Sequence, residues 1–186
     1  MKLHRLVIGL ALLLIFIRIN TPAQLPSCGK QDIDCLINEA TNIIEADPTN
    51  AEAYLKRGNL YEDKGNRQLA LKDYSRVIEL DPQNFLGFYS RGLVNSDLGN
   101  YQQALKDLDQ AIDLDPYNHC FFDRRGLVHS QLKNFERAIT DYNQAIELEP
   151  KYAKTYLNRG NAYQEIGEKE KAAADFKKYR ELSKKP

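Results

Sequence analysis

Apolar residues recur along most of this chain at helical spacing, in blocks that repeat. Tyr54, Gly58 and Tyr61 fall at intervals of four and three, one stripe of a helix expected over about 51–64. Gly65-Asn66 breaks that stripe. Ala70, Tyr74 and Val77 form a second one, expected as a helix over about 67–80. Asp81-Pro82 ends it, because proline disfavours helical backbone in the residue before it. The pattern then starts again. Pro48, Pro82, Pro116 and Pro150 are each 34 residues apart, preceded by Asp47, Asp81, Asp115 and Glu149. Gly58, Gly92, Gly126 and Gly160 keep the period, as do Ala70, Ala104, Ala138 and Ala172. Four two-helix units follow, over 51–84, 85–118, 119–152 and 153–186. Glycine and alanine leave the two helices of a unit room to approach closely. Ahead of them, Ile33, Leu36, Ile37, Ala40, Ile43 and Ile44 trace a lone amphipathic helix within 32–50. It would cover the open end of a stack, and the charged outer side of the last helix would cap the other end.

The period, with an aromatic at position 4, glycine at 8, tyrosine at 11, alanine at 20, an aromatic at 24 and proline at 32, resembles the tetratricopeptide repeat. The first unit shows Tyr54, Gly58, Tyr61, Ala70, Tyr74 and Pro82. The second puts Asn95, and the third His129, in the tyrosine place. The fourth has Tyr179 where a small residue belongs and lacks the proline. The resemblance implies an all-α fold, a right-handed superhelical solenoid of antiparallel helix pairs with four full repeats and an N-terminal capping helix.

Each glycine at position 8 follows an arginine: Arg57, Arg91, Arg125 and Arg159. Arg57 shares the stripe of Tyr54 and Tyr61. An aspartate lies sixteen residues after each arginine, at Asp73, Asp107, Asp141 and Asp175, on the packing stripe of the second helix. An unpaired charge on a packing face costs several kcal/mol (about 3–5), whereas a paired one is near neutral. Ion pairs across each hairpin are therefore expected, with a partner in the neighbouring unit as the alternative.

In the resembled family, the first helix of each unit builds a concave face. Carried over, that implies a groove of Leu55, Asn59 and Glu62, then Leu86, Tyr89, Leu93 and Asp97, then Asp123, Leu127 and Gln131, then Lys154, Leu157 and Asn161. Its middle is apolar and its charges are mostly acidic, which suits a protein or peptide segment with apolar anchors and basic residues. The alternative is that the leucines only pack between helices. Asn59 and Arg124 match part of the family's carboxylate clamp, but Leu55, Ser90 and Cys120 do not. No chaperone-tail receptor is expected.

Composition narrows the picture. The 186 residues carry 26 basic and 26 acidic side chains, so a general nucleic-acid binder is not expected. Residues 1–23 read as a secretory signal peptide: Lys2 and Arg5, an apolar run from Leu6 to Ile17, then Thr21-Pro22-Ala23. A retained anchor is the alternative, the only membrane link expected, and 24–31 is a linker. The mature chain is expected to be exported, periplasmic or secreted. There, Cys28 and Cys35 could close a small disulfide loop, the alternative being free thiols. No metal-ligand spacing, phosphate loop or nucleophile–base pair is found, and His119-Cys120, adjacent on a helix, should point apart. A non-enzyme without cofactor is expected. It would be an interaction scaffold binding in the groove or, alternatively, an envelope assembly component docking by its convex or end surfaces.

Overall fold

A computed structural model describes residues 32–184; the 1–23 segment, the 24–31 linker and Cys28 lie outside the described residues. The described residues hold nine helices: α1 (Ile33–Ala46), α2 (Ala51–Asp63), α3 (Arg67–Leu80), α4 (Phe85–Asp97), α5 (Tyr101–Leu114), α6 (His119–Gln131), α7 (Phe135–Leu148), α8 (Ala153–Glu165) and α9 (Lys169–Ser183). None is long and apolar enough to cross a membrane.

Side chains that recur with the 34-residue period set the helix ends. Asn50, Asn84 and Asn118 cap α2, α4 and α6, accepting backbone N–H bonds from Ala53, Gly87 and Cys120 at 2.9, 3.2 and 3.1 Å. The acidic residue before each proline closes a tight turn. Asp81 and Asp115 accept from the backbone of Gln83 and Tyr117 at 3.1 and 3.2 Å. Asp47 accepts from both the hydroxyl and the backbone of Thr49, and those bonds hold its carboxyl below the usual carboxylate range.

Within a unit the helices close tightly. A Cβ on Gly126 would stand 2.6 Å from the Tyr142 ring, so only glycine lets α6 reach α7. Ala70, Tyr74, Ala104, Leu108, Ala138 and Tyr142 are wholly buried along these seams. The hairpins α2/α3, α4/α5, α6/α7 and α8/α9 stack in chain order, and α1 packs on α2 alone. First helices of successive hairpins also touch, as α2 with α4, α4 with α6 and α6 with α8, while the second helices never touch each other. The stack therefore bends toward its first helices, and these line the inner face.

Candidate binding groove

The four arginines lie off the inner face, locked in hydrogen bonds. Arg57 donates from Nε and Nη2 to Asp73, both at 2.8 Å. Arg91 does the same to Asp107 at 3.0 and 2.7 Å, Arg125 to Asp141 at 3.0 and 2.7 Å, and Arg159 to Asp175, both at 2.8 Å. The third guanidinium nitrogen turns the other way. Nη1 donates to Thr41 and Ser75, both at 3.2 Å, and to Asp109 and Asn143, both at 2.7 Å, in the same order of arginines. Each acceptor belongs to the second helix of the preceding unit. The sequence left a choice between the arginine's own hairpin and its neighbour; each arginine bonds to both. The aspartates are almost fully buried, so these charges act as staples rather than as ligand contacts.

The residues at position 11 complete the staples in different ways. The rings of Tyr61 and Tyr163 stand 5.8 Å from the guanidinium carbons of Arg57 and Arg159. Asn95 is buried and donates to Asp107 at 3.3 Å. His129 is buried with Nε2 3.9 Å from Asp141, and its Nδ1 has no partner. Burial pushes the imidazole below its ordinary value.

The groove positions divide into three sets. Asn59, Leu86, Asp97, Gln131, Lys154 and Asn161 are exposed. Leu55, Tyr89 and Leu127 are half-buried and pack against buried clusters, Tyr89 with its ring 4.8 Å from that of Phe121. Leu93 and Leu157 are half-buried and belong to none of those clusters. Leu93 and Leu157 thus keep part of their side chains accessible, and Leu86 is 42% exposed.

Three positions carry bonds within the fold. Asp123 is 3% exposed and accepts from Asn158 of α8 at 3.1 Å, so it ties two hairpins together. Glu62 and Asn59 flank the Tyr74 hydroxyl, with oxygens at 3.0 and 2.8 Å. Burial, then the charge of Glu62, pushes that phenol far above its ordinary range.

His119 and Cys120 depart from the sequence expectation. Cys120 Sγ lies 3.6 Å from His119 Nε2 in the first turn of α6. Burial, then the charge of Asp123, pushes the thiol up, the reverse of what a nucleophilic thiolate needs. The His119 ring instead stands 4.8 Å from that of Tyr152. Next to them Arg124 lies against Tyr89 and Asp123.

The tetratricopeptide repeat model matches residues 51–84 and 86–118, a second model described as TPR repeat matches 126–167, and a further tetratricopeptide repeat model matches 153–186. Among solved structures, MamA is similar at 29% identity and a TM-score of 0.77, over 82% of this chain and 89% of that one. MamA from Desulfovibrio magneticus RS-1 is similar at 22% identity and 0.75, over 81% and 84%. YrrB, a TPR protein with an unusual peptide-binding site, is similar at 22% and 0.70, over 81% and 77%. The last two likenesses speak to the fold alone. No curated protein matches the chain by sequence.

Proposed function

Because the chain belongs to the tetratricopeptide repeat family, we propose that it is a non-catalytic protein-interaction scaffold that holds a peptide or protein segment along its inner face. The observation that carries this reading is the split among the groove leucines. Leu93 and Leu157 stay partly accessible outside the buried clusters, on the same first helices' face as the exposed Asn59 and Asn161. Apolar anchors at the centre with amide donors and acceptors at the rim fit an extended or helical segment. Asp97, Glu62 and the rim Glu52, Asp63 and Glu165 favour a segment with basic residues. The basic start and apolar run ahead of Gln24 support export, so the partner is expected outside the cytosol.

Site-specific photo-crosslinking tests the groove. A crosslinking residue at Gln131, on the inner face, is expected to capture a partner that the same residue at Glu147, on α7, does not. Leu93→Asp with Leu157→Asp should remove the capture and leave the helical signal intact. Equal capture from Glu147, or capture that survives both aspartates, would end this reading.

A further inference from the structure

The two ends of the stack carry opposite charge. Residues 32–50 contain Asp32, Asp34, Glu39, Glu45 and Asp47 and no lysine or arginine. At the far end, α9 and the residue after it supply Lys169, Lys171, Lys177, Lys178, Arg180 and Lys184 against the acids Glu170, Glu181 and the buried Asp175 that Arg159 holds. The chain as a whole is balanced at formal charge zero, so composition does not force this separation.

Among the described helices, neither end face is covered by a further hairpin. α1 touches only α2, and α9 touches only α8, among the described helices. On α9, the positions that receive the next hairpin elsewhere have changed character. Ile78, Ile112 and Ile146 correspond to Arg180, while Ser75, Asp109 and Asn143, which accept the next unit's arginine, correspond to Lys177. Ala173, Lys177, Arg180 and Lys184 follow one another at i, i+4, i+7 and i+11, a single exposed basic stripe. None of the three cations makes an ion pair among the described residues.

On α1 the spacing is the same with the opposite sign. Two acids, the N-cap Asp32, whose carboxylate accepts from Cys35 N at 3.0 Å, and Glu39, alternate with Leu36 and Ile43 at i, i+7 and i+4, i+11. Ile43 is 39% exposed, whereas Val77, Ala111 and Ala145, at the same place in complete hairpins, are 0% exposed. Glu39 meets Lys56 of α2 at 3.3 Å, yet both side chains stay nearly half exposed. A cap that served solubility alone would need neither an excess of opposite sign at each end nor an isoleucine left open among the acids.

We propose that a second copy of this chain covers these faces, the basic stripe of α9 in one copy lying against the acidic stripe of α1 in the next. Ile43 supplies an apolar anchor, and the charges set which end meets which. The contact joins two different faces, so it does not close on itself in a dimer but extends the stack from copy to copy. It uses none of the groove leucines and is independent of the groove reading.

Light scattering and sedimentation of the full chain test it. At low salt the mean mass is expected to rise with concentration. At about 0.5 M salt it should return to that of one chain, because screening shortens the reach of surface charge to a few ångströms. Lys177→Glu should weaken the association about tenfold while the helical signal and melting are kept. Glu39→Lys in the same chain should restore it, since the two reversed ends again match. A single-chain mass at every concentration in low salt would overturn the proposal. So would association indifferent to Lys177→Glu, or no recovery in the doubly reversed chain. Leu93→Asp should leave the mass unchanged, which separates this contact from the groove.

Discussion

Arg91 holds Asp107 with two parallel hydrogen bonds, Nε to Oδ2 at 3.0 Å and Nη2 to Oδ1 at 2.7 Å, and spends its remaining nitrogen on Ser75 of the preceding hairpin. Asn95 and Gln103 donate to the same carboxylate, at 3.3 and 3.1 Å. One carboxylate thus organises donors from α4 and α5, and its arginine reaches back to α3. Removing one partner leaves a buried charge unanswered. Asp107→Ala is expected to cost about 3–5 kcal/mol in a urea melt, more than replacing both partners by apolar residues of similar volume. A double-mutant cycle on Arg91 and Asp107 should show coupling of about 1–3 kcal/mol. Additive single losses would mean that the pair does not act as a unit.

Lys133 adopts φ 59° in the α6–α7 turn, where Gly65, Gly99 and Gly167 adopt 75°, 79° and 82° in the other units. A side chain in that region crowds its own backbone at a cost of about 1–2 kcal/mol, partly offset by the greater freedom glycine loses on folding. Lys133→Gly is therefore expected to stabilise the chain by about 0.5–1 kcal/mol, read as a higher urea midpoint. An unchanged or lower midpoint would show that the turn carries no such strain.

His129 is expected to make the stability of the third unit depend on pH. Burial lowers its affinity for a proton; Asp141 and Asp109 act against that, while Arg125 and Arg137 add to it. In the unfolded chain the imidazole takes its ordinary value of about 6.5 and binds a proton more readily than in the fold. Stability is thus fully present above about pH 6.5 and declines as pH falls from there toward the lower folded value. His129→Tyr puts at this place the residue type found at Tyr61 and Tyr163, and it should flatten the loss between about pH 7 and 5.5. Parallel melting curves for the two proteins across that window would exclude His129 as the source.

Cys120 is a free thiol. If Cys28 and Cys35 pair as their spacing and an exported chain suggest, denaturing the non-reduced protein should expose one titratable thiol, and reduction should raise the count to three. Three thiols before reduction would remove the disulfide.

Much of the molecule was written in local spacing. The interval of 34 residues, the alternation of helix stripes and breakers, and the arginine and aspartate sixteen residues apart are properties of one hairpin, and a hairpin's two helices have little freedom once glycine and alanine set their approach. The asparagine caps carry the same period and were as open to reading as the prolines. The groove was harder. Leu55, Leu93 and Leu127 sit at equivalent or neighbouring positions in three units, yet Leu55 and Leu127 pack against buried clusters while Leu93 belongs to none. Asp123 stands at a groove position but turns to Asn158, a partner thirty-five residues away.

The sequence by itself determined the helices, their pairing and the charge within each pair, because these follow from spacing along one short stretch of backbone. Only the tertiary structure decided which inner-face side chains remain open, where the third nitrogen of each arginine goes, and that Ile43 stands exposed at one end of the stack. Those depend on how one hairpin leans on the next, chiefly through the second helix of one unit against the first helix of the following unit, with the first helices touching along the inner face.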